Sequence, residues 1–274
     1  TGVLKYDRQD ARDILERASA RETAARVAAG GVCKQLLAAL GVQVRSHVVN
    51  LGGVKSPLQG MEAFQAWRQP DSQTACLDEA ASLAMKQRVA EAQSTGDTLG
   101  GVIELFADGL WAGLGTYAQG DRRLDARLAA AMVSIPAIKG VEFGEGFQYA
   151  NLSGSQAHDE IFHADPKGFF RRTNHAGGLE GGMSNGEVLW LRLVMKPIPT
   201  LMQPLATVDL RTKAAVDACK ERSDVCAVPA AAVVAEAMLA ITLAQVISEQ
   251  FGGDCFQDLK HNIAAYKQRL EQRA

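Results

Sequence analysis

The sequence predicts a single α/β or α+β domain, and three observations carry the prediction. Segments of strand period alternate with segments of helical period, one long helical segment is apolar enough to lie inside a core, and no run of proline, serine or like charge divides the chain. The 274 residues, 47% apolar and 22% charged with 26 glycines, suffice for one large core and exclude general disorder. With 29 Lys and Arg against 31 Asp and Glu, the formal charge is -2, so no global field draws the chain to nucleic acid or an anionic membrane. Neither is an expected partner, and any anion must be met by a local cluster.

The elements follow in order. Ser19-Ala20-Arg21-Glu22 fits the S/T-x-x-E capping box, which predicts a helix from about Ala20 to Gly41 with Gly30-Gly31 as a weak point inside it. Val42 to Leu51 alternates apolar and polar residues, a half-buried strand. Leu77 to Gln93 reads as a helix, and Thr98 to Ala107 as a buried strand ending in a turn at Asp108-Gly109. Asp121 to Ile135 is amphipathic and helical, and Lys139 to Phe147 is a glycine-studded strand. From Ala150 to Gly186 periodicity disappears, which predicts a long loop, functional or mobile.

Glu187 to Met195 returns to strand and is stopped by Lys196-Pro197-Ile198-Pro199. Ala227 to Ile247 has the apolarity of a membrane span, but Pro229, Glu236, Thr242 and Gln245 interrupt it and no basic flank follows, so a buried helix over Val228 to Phe251 is predicted. The tail, 256–274, is set apart from the 1–255 domain as a polar helix whose narrow apolar face is Leu259, Ile263, Tyr266 and Leu270. Five cysteines without a C-x-x-C pair read as reduced, and with no signal peptide at the start the chain is placed in the cytoplasm.

Four features could carry chemistry. Arg17 and Arg21 flank the helix start at Ser19; cations there oppose the helix dipole unless an anion sits between them and the open amides, the alternative being surface pairs with Asp13 and Glu16. Ala176 to Gly186 packs five glycines into eleven residues, which admits close approach to a planar or phosphorylated ligand, or simply a flexible loop. It is not G-x-G-x-x-G and precedes a strand, so a Rossmann site, and with it a nicotinamide oxidoreductase, is not supported. Lys196 to Thr200 fixes a lysine and a threonine at a strand end. Arg222 and Asp224 lie just ahead of the long helix, as ligand groups or as a salt bridge to each other. His158, His163 and His175 have neither the spacing nor the partners of a metal site, and none is assigned.

Taken together, Arg17 to Gly30, Ser134 to Phe147, Asn174 to Gly182, Lys196 to Thr200 and Asp224 to Pro229 resemble the chorismate synthase family, five separated blocks in one order. The resemblance implies an α/β sandwich with helices packed between antiparallel sheets, usually a homotetramer. It implies a lyase that removes phosphate and a C6 proton from 5-enolpyruvylshikimate 3-phosphate to form chorismate in the shikimate pathway. The cofactor it implies is reduced FMN, with NADP in the family's cofactor chemistry. No net oxidation occurs; transient electron donation from the flavin weakens the bond to the leaving phosphate.

Carried over residue by residue, the likeness places Arg17, Ala18, Ser19, Pro136, Ala137, Gly181, Lys196, Pro197, Ile198, Pro199, Thr200 and Arg222 at FMN. It places Arg21 at the substrate's anionic groups, and Asp224 at proton removal, acting through the flavin N5. Ser223 and Ala230 stand where many members have histidine and arginine. Thr1 to Tyr6 matches an interior family segment, so the likeness implies a chain lacking the family's first quarter to third, which carries its two catalytic histidines. The alternative function is therefore a truncated, non-catalytic remnant that keeps the fold, with or without flavin binding.

Overall fold

The computed structural model describes residues 1–273 apart from 166–167, 219 and 221–223, and Glu16 for its main chain only. Two short helices, α1 (Gly2–Lys5) and α2 (Arg12–Ala18), lead to a 3-10 turn (Ala20–Glu22) that runs into α3 (Thr23–Ala39). Then come β1 (Gln43–Leu51), β2 (Val54–Lys55), α4 (Gly60–Gln65), α5 (Glu79–Thr95), β3 (Gly101–Asp108), α6 (Leu124–Val133), β4 (Ile138–Phe143) and α7 (Gly154–Ala157). Next are β5 (Ile161–Ala164), β6 (Gly168–Arg171), β7 (Leu179–Glu180), β8 (Met183–Ser184), β9 (Leu189–Met195), β10 (Ala206–Val208), β11 (Ala215–Asp217), α8 (Val228–Phe251) and α9 (Phe256–Glu271).

The central sheet has the order β2-β1-β3-β9-β4, every neighbour antiparallel. Period-two alternation gives it two faces. Val48 on β1, Ile103, Leu105 and Ala107 on β3, and Leu189, Leu191 and Leu193 on β9 point to one face and join the main core with α3, α6 and α8. Phe106 and Trp190 point to the other and pack with Ala63 of α4 and Leu77. Gly52 and Gly53, both at positive φ (59° and 92°), make the two-residue turn that lets β2 fold back on β1.

Helix α8 occupies the predicted residues and packs against β1, β3, α3 and α6. It is long and apolar enough to cross a membrane, with a mean hydropathy of 2.0 in its most apolar window, yet 67% of that window is buried inside the fold. Helices on one face of an antiparallel sheet, with a smaller helical cover on the other, bear out the α/β reading. Val32 on α3 and Val233 on α8 are exposed, and among the described residues no second large sheet covers them.

Several expectations need correction. The capping box does not form: Ser19 Oγ accepts from the Arg21 amide at 3.4 Å, because the chain enters through a 3-10 turn, and the Glu22 carboxylate instead pairs with Arg26 at 2.8 Å. Gly30 is no weak point, since it is where α3 crosses α8, and a Cβ there would overlap Ala237. The stretch from Ala150 to Gly186 is not one loop; it holds α7 and two short hairpins, each too brief to show a period. β4 stops at Phe143 rather than Phe147, where a 3-10 helix (Gly146–Asn151) takes over. The C-terminal helix α9, by contrast, uses its expected apolar face: Leu259 and Ile263 are buried in the main core, and the Tyr266 hydroxyl donates to the Ala112 carbonyl at 3.1 Å.

The two adjacent glycines are expected to respond oppositely to alanine. Gly30→Ala forces the helices apart and costs about 1–3 kcal/mol. Gly31 has open space where its Cβ would lie, so Gly31→Ala adds about 0.5–1 kcal/mol through helix propensity. Urea unfolding of the two variants reads the contrast, and equal shifts would remove the close crossing as its cause.

Candidate active site

Four chain segments meet at one end of the central sheet. There β1 ends at Leu51, β3 begins at Gly101, β9 ends at Met195 and β4 begins at Ile138, as the pairings Leu51↔Gly101, Gly101↔Met195 and Ile138↔Met195 require. Pro136 and Ala137 precede β4 at this end, and Lys196 to Thr200 follow β9. The Lys196 amide donates to the Ala137 carbonyl at 3.0 Å. Ala137 sits at φ 68°, a left-handed conformation that costs an alanine on the order of 1–2 kcal/mol. Such strain persists where surrounding structure enforces it, and ligand clamps are a common place for it.

Asp224 comes to the same end. The Leu99 amide donates to the Val225 carbonyl at 2.8 Å, and Leu99 bridges Cys226 in parallel, so the strand-like approach to α8 lies beside the entry to β3. Pro229 in the first turn of α8 then fixes where the helix begins. Asp224 is exposed at a cleft of about 480 Å³ shared with Gln73, Thr74, Lys86, Gln93 and Pro229. Lys86 in that cleft is already paired with Asp71 at 2.7 Å. That Lys86 hydrogen bond and the Thr74 amide hold the Asp71 carboxyl well below the usual carboxylate range. Burial pushes the neighbouring Cys226 thiol up.

The helix start is tied to this region through α6. Arg26 of α3 donates from Nη1 to Ser134 Oγ at 2.8 Å, two residues before Pro136, while its Nε bonds Glu22. Arg17 and Ala18 close α2 and are exposed, Ser19 caps the 3-10 turn, and Arg21 is exposed within it. Gly181 does not join the set. It lies in the turn between β7 and β8 at φ 57°, and this hairpin packs beside the first residue of β9, with the Gly182 carbonyl accepting from the Leu124 amide at 2.8 Å. Lys196 follows the last residue of β9, about 20 Å away along a seven-residue strand. A sequence carries no measure of which end of a strand a flanking loop occupies in space, and the two loops flank opposite ends. Arg222 lies outside the described residues.

Sequence reasoning missed two features of the site. One is the Ala137 backbone, which no side-chain signal announces. The other is the segment Thr98-Leu99-Gly100, whose hydroxyl and amide bind both the Lys196–Thr200 turn and the approach to Asp224. Its buried threonine looked like the first residue of an ordinary strand.

The arrangement defines a class: an antiparallel α/β fold whose candidate site is built from main-chain turns at a sheet end rather than from a glycine-rich strand-to-helix turn. The family model for chorismate synthase matches residues 1–247. A chorismate synthase from Moorella thermoacetica is 55% identical over 271 residues, 99% of this chain and 70% of that protein. One from Syntrophotalea carbinolica is 54% identical over 273 residues, again 99% of this chain and 70% of that protein. A crystal structure of chorismate synthase superposes with a TM-score of 0.85 at 41% identity, covering 99% of this chain and 76% of that one. The chain belongs to the chorismate synthase family.

Proposed function

We propose that this sheet end is the flavin and substrate site of a chorismate-forming lyase. The reaction breaks the bond between the substrate ring and its phosphate and removes the C6 proton, giving the second ring double bond of chorismate. Relatives of about half-identical sequence bear that activity in their names, and none supports the alternative of a non-catalytic remnant. The observation that carries the reading from geometry is the convergence of Pro136-Ala137, Lys196–Thr200 and Asp224, joined by the Lys196–Ala137 and Leu99–Val225 hydrogen bonds.

These residues fit reduced FMN by their donor chemistry. Lys196 is exposed beside a strained turn, and Arg17 and Ser19 stand at the entry to α3, which suits a phosphate group together with a planar ring system. Bound there, reduced FMN supplies transient electron donation that weakens the bond to the departing phosphate. The chain's own part is positional and electrostatic. Lys196 to Thr200 and Pro136-Ala137 orient the ring; Arg17 and Ser19 hold an anionic group; the Arg21 guanidinium meets the substrate's phosphate or carboxylate with a bidentate fork. The Asp224 carboxylate assists removal of the C6 proton. Arg222 belongs to the same reading by its place two residues before Asp224 in the sequence. Gly181 does not enter the set that one chain assembles. Assembly as a homotetramer, a cytoplasmic location and NADP in the supply of reduced flavin complete the proposal.

The test is flavin titration. FMN added to the purified chain is expected to change its absorbance spectrum on binding, and Arg17→Ala and Ser19→Ala are each expected to weaken that binding about tenfold, the loss of one hydrogen bond to a charged group, with far-UV circular dichroism unchanged. No spectral change in the parent chain would overturn the flavin reading. Undiminished binding in both variants would remove the helix start from the site.

A further inference from the structure

We propose that Thr98 is a positioning residue that sets the distance between the flavin turn and Asp224. This rests on the reading of the site given above and adds to it a residue that none of the family blocks contains. Thr98 is 6% exposed, and its Oγ1 donates to the Ile198 carbonyl at 2.7 Å, in the middle of the Lys196–Thr200 turn. The next amide, Leu99 N–H, donates to the Val225 carbonyl at 2.8 Å, one residue after Asp224. The third residue, Gly100, leaves no room for a side chain: a Cβ would overlap the Met195 carbonyl oxygen and come within 3.0 Å of Lys196 C and Pro197 Cδ.

Three consecutive residues therefore run between the two loops and hold one with a side chain, the other with an amide. Both bonded loops lie outside the sheet ladder, where pairing no longer fixes them. The Ile198 carbonyl sits between two prolines, Pro197 and Pro199, which have no amide hydrogens; the Lys196 amide ties the first residue of the turn to Ala137, and the threonine hydroxyl anchors its middle. Its own amide is taken by Asp97 Oδ1 at 2.7 Å, which fixes the backbone from which the hydroxyl reaches. The consequence is that a change at Thr98 alters where the turn lies relative to Asp224 while every side chain of the site is retained.

Thr98→Val removes the hydroxyl at constant shape, Thr98→Ser keeps the hydroxyl without the methyl, and Thr98→Cys puts a weak donor in the hydroxyl's place without the methyl. FMN titration of the full chain is read alongside turnover, KM for 5-enolpyruvylshikimate 3-phosphate, and thermal midpoint. Thr98→Val is expected to bind FMN about tenfold more weakly while Thr98→Ser stays within about threefold of the parent. The two should differ far less in thermal midpoint than in flavin affinity. Parent-like FMN affinity in Thr98→Val, or equal weakening in the valine and serine variants, overturns the proposal. If Thr98→Val does not fold, parent-like affinity in Thr98→Cys overturns it and an affinity between those of serine and a lost site supports it. A parent chain that takes up no FMN instead defeats the underlying flavin reading, and is told apart because it appears before any substitution is made.

Discussion

His47→Leu is expected to destabilise the fold by about 3–5 kcal/mol, measured by urea unfolding, without touching any residue of the proposed site. His47 and Glu104 are both fully buried on the sheet face away from α8, and His47 Nε2 lies 2.9 Å from Glu104 Oε2. The same carboxylate oxygen accepts the Gly60 amide at 2.9 Å, which anchors the start of α4 to the sheet. Phe106 stacks on the imidazole with ring centroids 6.0 Å apart, and Trp67 meets it edge-on. Removing the ring leaves a buried carboxylate with one backbone donor, and Glu104 Oε1 is already without a hydrogen-bond partner.

The double variant His47→Leu/Glu104→Leu is expected to recover much of that loss, because two apolar side chains replace the pair and only the Gly60 amide stays unsatisfied, at about 1–3 kcal/mol. A single variant costing under about 1 kcal/mol, or a double variant as damaged as the single, would show that the pair contributes no coupling.

That pair continues across the sheet. Glu104 stands opposite Arg192 on β9, and Arg192 opposite Glu142 on β4, with Arg192 Nε 2.8 Å from Glu142 Oε1. His47, Glu104, Arg192 and Glu142 thus form one row across four strands. The sequence contained part of its signal: single ionisable residues inside the apolar runs of Val102 to Ala107 and Leu189 to Met195, and His47 beside Arg45 in the alternating segment Val44 to Leu51. What it lacked was register. Nothing local says which residue of one strand faces which residue of the next, and a shift by one would have put Glu104 into the helix-side core.

The same distinction separates what was legible elsewhere. α8, β1, β3 and β9 were readable because each is long enough to show its period, with turns marked by Gly109 and by the prolines after Lys196. The hairpins between Ile161 and Ser184 were not, because strands of two to four residues have no period to read. The site followed suit. The family blocks named the loops, and spacing along the chain could not tell that Gly181 and Lys196 flank opposite ends of β9, or that Thr98 binds two of the blocks to each other.

Asp224→Asn is expected to lower turnover of 5-enolpyruvylshikimate 3-phosphate about a hundredfold while KM stays within about threefold, since losing a positioned proton acceptor typically costs two to four powers of ten. Asparagine keeps the size and hydrogen-bonding reach of the side chain but cannot take up a proton at neutral pH. The main chain around it is held independently, by the Leu99–Val225 hydrogen bond and by the start of α8 at Val228, so the substitution leaves the loop where it is. Lys86 in the same cleft is occupied by Asp71 and offers no substitute base. A change confined to KM would make Asp224 a binding group, and turnover equal to that of the parent would take it out of the chemistry. Because Thr98 fixes this loop only through its neighbour's amide, a Thr98→Val/Asp224→Asn double variant separates the two roles: FMN affinity should follow the threonine, and the hundredfold in turnover should follow the aspartate.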